Sequence, residues 1–117
     1  GPSLIIAYSH CIAHGIDMRK GLDQQYLAVN SGHWPLMRFN PVLREANKNP
    51  FLLDSPRPRV PLRDYHKNEL RFRMLANTHP DEAERMLQLG QDQVLRRFAE
   101  YEQLASSDAN MFAQGAR

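Results

Sequence analysis

The apolar and polar positions divide this chain into stretches of different character. The first is a continuous apolar run, Leu4-Ile5-Ile6-Ala7-Tyr8. It is short and rich in β-branched and aromatic residues, which predicts a buried strand rather than a helix. Ser9–Lys20 is polar and irregular, with Gly15 and Gly21 as breaks. A helix is predicted over Leu22–Asn30, because Met18, Leu22, Tyr26 and Val29 fall on one stripe at helical spacing. Ser31-Gly32 ends it, and Gly32 suits a left-handed cap. Trp34–Phe39 reads as a second strand, closed by Asn40-Pro41. Residues 1–40 therefore predict an α/β fold. They form a partial β-α-β unit whose strands are parallel if both join one sheet through a right-handed crossover. A strand, helix and hairpin from an α+β domain is the alternative.

Residues 41–61 differ. Pro41, Pro50, Pro56, Pro58 and Pro61 alternate with the turn formers Asn47, Asn49 and Asp54-Ser55. This composition predicts an extended proline-rich arm lying over a surface, anchored by its one apolar knot, Phe51-Leu52-Leu53. An arm of this length makes sense if it wraps a partner domain or subunit. Residues 62–105 turn helical. Leu62, Tyr65, Phe72 and Leu75 set a first face, widened by Leu70 and Met74, and Asn77-Thr78-His79-Pro80 breaks it. A long helix over Pro80–Ala105 follows, with a capping-box-like start at Thr78–Asp81 and Pro80 in the first turn. Ala83, Leu87, Val94, Phe98 and Tyr101 form its inner stripe, and Asp81–Arg85 and Asp92–Arg96 are spaced as i,i+4 pairs. Gly90, unfavourable in a helix interior, marks close packing. Residues 106–117 read as a flexible tail.

Composition narrows the picture. A chain of 117 residues, 42% of them apolar, is one domain at most. With a lone strand so near its first residue, it reads as the end of a larger domain. A net charge of +2 gives no electrostatic reason to expect nucleic acid or membrane as a partner. No run approaches the roughly 18 apolar residues of a membrane span, and no basic stretch precedes Leu4 as in a secretory leader. The single cysteine cannot form an internal disulfide and fits a reducing, cytoplasmic compartment. Arg57, Arg59, Arg63, Arg71 and Arg73 are interleaved with Asp54, Asp64 and Glu69 and read as a solvated face. Trp34 and Tyr26 are assigned to the core, and the five methionines to gap filling.

The candidate chemistry centres on Cys11, at the exit of the predicted first strand, where open α/β sheets bind ligands. Its thiol could be a nucleophile, a metal ligand or an inert core group. A nucleophile needs a base. His10 would point to the opposite face of the strand, and His14 depends on the turn. Cys11 with His10, His14, His33, His66 or His79 gives no zinc spacing. One thiolate cannot hold an iron–sulfur cluster, which takes four cysteines, so a cluster here would need three ligands from outside the chain.

Several blocks are similar to the C-terminal segment of pyruvate:ferredoxin (flavodoxin) oxidoreductases. They are Pro2-Ser3-Leu4-Ile5-Ile6-Ala7-Tyr8-Ser9-His10-Cys11-Ile12-Ala13-His14-Gly15, Ser31-Gly32-His33-Trp34-Pro35-Leu36-Met37-Arg38-Phe39-Asn40-Pro41, Asn47-Lys48-Asn49-Pro50-Phe51, Leu53-Asp54-Ser55 and Asn68-Glu69-Leu70-Arg71-Phe72. They occur in order over nearly the whole chain, and the bacterial, flavodoxin-reducing type is the nearest likeness. The resemblance implies a large homodimer that decarboxylates pyruvate on thiamine diphosphate with Mg²⁺ and passes electrons along [4Fe-4S] clusters. The products are acetyl-CoA and reduced ferredoxin or flavodoxin. It implies that residues 1–40 close the thiamine-diphosphate-binding domain. It also implies that Cys11 is the fourth ligand of the [4Fe-4S] cluster nearest the thiamine. The Gly-Asp-Gly…Asn stretch for Mg²⁺ and diphosphate and the Cys-x-x-Cys-x-x-Cys runs are not in this sequence. The chain alone is therefore expected to bind no thiamine and to have no turnover. His10 and His14 match the flavodoxin-type pattern and carry no catalytic role. A non-enzymatic interaction or dimerisation module with an inert cysteine is the competing reading, and a stand-alone thiol enzyme a third.

Overall fold

The structure is a computed structural model that describes residues 1–108; of the tail expected over 106–117, Ser106 ends the last helix and the part beyond Asp108 lies outside the described residues. The described residues form four helices: α1 (Gly21–Asn30), α2 (Leu62–His66), α3 (Leu70–Thr78) and α4 (Pro80–Ser106). Two short strands, β1 (Met37–Phe39) and β2 (Phe51–Leu53), form an antiparallel ladder with Met37 opposite Leu53 and Phe39 opposite Phe51. Single 3₁₀ turns cover Ile12–His14 and Met18–Lys20, and a longer 3₁₀ segment covers Pro41–Ala46. The mixed helix-and-strand class agrees with the α/β expectation. No helix among the described residues is long and apolar enough to cross a membrane.

α4 organises the packing. Its inner stripe is the one the sequence predicts: Val94 and Phe98 are buried, and Ala83, Leu87 and Tyr101 are half-buried. The core gathers Val94 with Ala28 of α1 and with Leu62 and Tyr65 of α2, and Leu27, Trp34, Phe72 and Leu87 pack around them. Gly90 does mark close packing, since a Cβ there would lie 3.1 Å from Leu62 Cδ2. Gly32 takes the left-handed conformation (φ 79°) that ends α1, and a Cβ would crowd Val94 and Pro58. Arg97 reaches across from α4 to the carbonyls of Gly32 and His33, at 2.8 and 3.1 Å.

The first half of the chain departs from the expected pattern. Leu4–Tyr8 forms no ladder among the described residues, so its parallel pairing with Trp34–Phe39 does not form within this chain. β1 instead bonds to the arm. The Asp54 amide and the Leu36 carbonyl meet at 2.8 Å, the Leu36 amide donates to Ser55 Oγ at 3.0 Å, and Arg38 forks onto Asp54 with two 2.8 Å bonds. The apolar knot Phe51–Leu53 thus anchors the arm, but as a strand, and the arm carries more regular structure than its prolines suggest. The stripe Met18, Leu22, Tyr26, Val29 does not face the core: Leu22 is 81% and Tyr26 68% exposed. α1 is turned so that Gln24, Ala28 and Asn30 face inward, because Gln24 bonds Tyr65 and Glu69 and Asn30 accepts the Arg59 and Val60 amides.

The expected helix from Leu62 is two helices. Glu69 is extended (φ −118°, ψ 126°) and separates α2 from α3. The Leu70 amide then bonds the Gly15 carbonyl at 2.9 Å instead of continuing a helix. No side chain caps the start of α4, since the Thr78 hydroxyl turns back to the Met74 carbonyl at 2.8 Å. The expected Asp81–Arg85 pair is replaced by Glu82–Arg85.

Candidate functional site

Cys11 lies where the extended N-terminal segment enters a 3₁₀ turn. Its backbone is extended (φ −145°, ψ 143°), and it serves as the N-cap of Ile12–His14, its Sγ accepting the Ala13 amide at 3.4 Å. The thiol is free and exposed. Gly15 closes the turn in the left-handed region (φ 72°), with its amide on the Ile12 carbonyl at 3.0 Å. A small polar loop with a glycine at its far end is what this geometry needs, which is why Ser9–Gly15 neither extends the strand nor starts a longer helix.

The flanking residues face the protein while the thiol faces out. His10 packs its ring against Gly21, where a Cβ would lie 2.5 Å from His10 Nε2. His14 Nδ1 is 3.8 Å from Glu69 Oε1. Tyr8 lies against Trp34 (ring centroids 5.2 Å apart) and edge-on to His33 (5.4 Å). His33 in turn stacks on Tyr65 at 4.5 Å. Beneath the loop is a polar network. Tyr8 and Tyr65 share a 2.8 Å hydroxyl bond, and Arg71 Nη2 donates to the Tyr8 hydroxyl at 2.9 Å. Arg71 Nε donates to Glu69 Oε1, and Gln24 Nε2 to Glu69 Oε2, both at 2.6 Å.

Glu69 is wholly buried, at 0% exposure. Burial pushes its carboxyl upward, but the Gln24 and Arg71 hydrogen bonds and the Arg71 charge more than offset that, and it stays below the usual carboxylate range. Burial, then the bond to Tyr8 and the Glu69 charge, hold the Tyr65 phenol well above its usual range. Burial also lowers His33, and it pushes His66 down to about 4, aided by the nearby His33 and Arg71 charges. His66 is sandwiched on Phe72, 3.8 Å away, and Arg71 lies 4.6 Å over the same ring.

The other residues weighed as ligands or bases do not gather at Cys11. His33 and His66 belong to the aromatic packing, and His79 bonds Thr78 at the α3–α4 junction. Among the described residues no imidazole or carboxylate bonds the thiol, and no group of three or more His, Cys, Asp and Glu could hold a metal ion. The nucleophile arrangement with a base at hydrogen-bond reach is therefore not assembled here. One exposed thiol, steadied by one N–H, fits a single terminal ligand to a group whose other ligands come from elsewhere.

Composition hid the network. Glu69 and Arg71 were expected on a solvated face, and only Arg71 is exposed. The available signal is local: Asn68 and Glu69 interrupt the helical stripe between Tyr65 and Phe72. The remaining arginines behave as expected, with Arg57 paired to Glu102 and Arg63 to Glu84 on the surface.

No family model matches the chain. Among known proteins it is similar to the pyruvate-flavodoxin oxidoreductase of a Nostoc species, 47% identical over 106 residues, covering 91% of this chain and 9% of that protein. It is 49% identical over 105 residues to a putative pyruvate-flavodoxin oxidoreductase of a Synechocystis species, covering 90% of this chain and 9% of that protein. It is 41% identical over 105 residues to the pyruvate:ferredoxin oxidoreductase of Moorella thermoacetica, again 90% and 9%. The chain thus spans about 9% of the length of these relatives.

Proposed function

We propose that this chain is one segment of a pyruvate:flavodoxin or pyruvate:ferredoxin oxidoreductase and contributes Cys11 to a [4Fe-4S] cluster of the whole enzyme. The observation that carries this reading is identity of 41–49% sustained over about 90% of the chain, with relatives whose names state that activity. The reaction is oxidative decarboxylation of pyruvate to acetyl-CoA on thiamine diphosphate and Mg²⁺, with flavodoxin or ferredoxin as acceptor, in a cytoplasmic homodimer. The thiamine and Mg²⁺ sites lie in the remainder of the enzyme, and the segment alone is inactive.

In this reading residues 1–40 complete the thiamine-diphosphate-binding domain, and Leu4–Tyr8 becomes a strand of a parallel sheet whose neighbours lie outside this chain. Its exposure supports that: Ile5 is 89% exposed, although the run Leu4–Tyr8 has the composition of a buried strand. The arm of residues 41–61 and the helices of 62–105 clamp that domain or the dimer. A bound cluster supplies one-electron transfer. The chain's own part is to present the Cys11 sulfur outward, to give that sulfur the Ala13 N–H, and to hold the loop that carries it.

The test is Cys11→Ser in the full-length enzyme, read by iron content and by electron paramagnetic resonance after reduction. Loss or weakening of one cluster signal is expected. Full iron content and full pyruvate-dependent dye reduction would overturn the assignment and favour an interaction module with an inert cysteine. The same assay on the enzyme lacking this segment, with and without the chain added back, tests whether the segment completes the enzyme.

A further inference from the structure

We propose that Glu69 is the positioning residue for the Cys11 thiol, acting through Arg71 and Tyr8 on one side of the loop, while the chain break at Glu69 seats Gly15 on Leu70 at the other. The proposal rests on the reading of Cys11 as a cluster ligand and adds a residue to it that the Cys11 assignment does not include.

The geometry is a clamp closed at both ends of the loop. Three residues before Cys11, the Tyr8 hydroxyl is held by Arg71 Nη2 at 2.9 Å and by the Tyr65 hydroxyl at 2.8 Å. Three residues after it, His14 Nδ1 lies 3.8 Å from Glu69 Oε1, in contact but short of a hydrogen bond. One residue further, the Gly15 carbonyl accepts the Leu70 amide at 2.9 Å, directly beside Glu69 in the chain. Glu69 is the common element. Its two oxygens are shared between Arg71 and Gln24, each at 2.6 Å, so the guanidinium that grips Tyr8 is fixed by the carboxylate and the carboxylate is fixed to α1.

A buried carboxylate is costly unless paired and hydrogen-bonded, and a simple brace between helices could be built from apolar groups at lower cost. A charge-assisted, directional pair is the better device where a loop must be held in one register. The break between α2 and α3 serves the same end, because it is the extended backbone at Glu69 that frees the Leu70 amide for Gly15. Residues behind a metal ligand fix its orientation in this way and affect how tightly the metal is held.

The test uses the full-length protein with Glu69→Gln and Tyr8→Phe, and Cys11→Ala to mark which cluster signal depends on Cys11. Glu69→Gln is expected to speed chelator-driven iron loss from that cluster about ten-fold and to alter the line shape of its signal. Hydrogen exchange should rise in the peptide Ser9–Ile16, with the other clusters and distant peptides unchanged. Tyr8→Phe, which removes one hydroxyl and threatens folding least, should move the same readouts in the same direction by less. Unchanged exchange in Ser9–Ile16 in both variants overturns the clamp. Exchange that rises uniformly through the protein, with the line shape intact, also overturns it, because Glu69 is then only a brace of the core. If Cys11→Ala removes no signal, the cluster reading falls, whereas exchange at Ser9–Ile16 still reports on the clamp, so the two failures are told apart.

Discussion

Gly15→Ala isolates the contact that seats the Cys11 loop. Gly15 has φ 72°, where a non-glycine residue is disfavoured by roughly 1–2 kcal/mol. A Cβ at this position would overlap Leu70 Cβ outright and lie 3.3 Å from Leu70 Cα. No rotamer change can relieve this, because both Cβ atoms are fixed by the backbone. The Gly15 and Leu70 backbones must move apart, an overpacking penalty of about 1–3 kcal/mol. The 2.9 Å bond from the Leu70 amide to the Gly15 carbonyl stretches with them, a loss of about 0.5–1.5 kcal/mol. The whole effect is then about 3–6 kcal/mol, a large part of a typical domain's stability. The assay is urea unfolding of the 117-residue chain, followed by Trp34, its single tryptophan, which sits against Tyr8 at the loop's root. With an m-value of about 2 kcal/mol/M the midpoint should fall by about 1.5 M or more. A midpoint within about 0.3 M of wild type would refute the reasoning, since it would mean that the loop does not rest on Leu70.

Stability should fall with acid. The folded-state value of His66 is held near 4, below the roughly 6.5 of an unfolded histidine, so its contribution is present above about pH 6.5 and is lost as pH drops towards 4. That loss is about 1–3 kcal/mol, His33 adds to it in the same direction, and Glu69, also lowered, extends it further into acid. Urea midpoints at pH 7.5 and pH 5 check it, and a difference unaffected by His66→Asn would count against it. Asn49→Ala should cost about 1–2 kcal/mol and speed amide exchange in the last turn of α4, because Asn49 Nδ2 donates to the Leu104 and Ala105 carbonyls at 2.8 and 3.0 Å. Leu22→Asn with Tyr26→Asn should change the stability of the 117-residue chain by less than about 0.5 kcal/mol. In the full-length enzyme the same pair should lower the thermal midpoint, and no change there would show that this face stays in water.

Local signals carried well where one element decides its own fate. α4 shows its stripe, its proline start and its close-packed Gly90 in the residues themselves, and Gly32 announces the end of α1. Pairing partners were less legible. Nothing in Met37–Phe39 says that it will take Phe51–Leu53 rather than Leu4–Tyr8, because strand pairing is decided by what else competes for the edge. The break at Glu69 was hidden for a related reason. Tyr65, Phe72 and Leu75 keep helical spacing across it, while the cause of the break, the docking of Gly15 on Leu70, lies more than fifty residues away. Cys11 was legible as the one thiol. The clamp beneath it was not, because Gln24, Glu69 and Arg71 look like surface residues until the fold brings them together.

Predicted burial fails most densely in the first part of the chain. Leu4, Ile5, Ile6, Met18, Leu22 and Tyr26 all precede β1, and all are exposed. Of the helices that follow, α2 and α4 keep their predicted inner faces, while on α3 Leu70, Met74 and Leu75 are exposed and only Phe72 packs against the core. A helical stripe and an apolar strand left in water together are too costly to be incidental, since each such side chain forgoes about 1.5–3 kcal/mol of burial. Single exposed apolar residues need no explanation, but Leu4, Ile5 and Ile6 are consecutive, and a run of this kind left in water marks an interaction surface. In the proposed enzyme this surface is where the rest of the thiamine-binding domain would sit. The exposed Cys11 sulfur, three residues past the end of the strand, is then carried to the edge of that contact by the element that forms it. One face would thus settle two things at once, the docking of the segment and the delivery of its thiolate. A substitution at Leu22 or Tyr26, neither of them a ligand candidate, should accordingly loosen the Cys11-dependent cluster as well as the assembly.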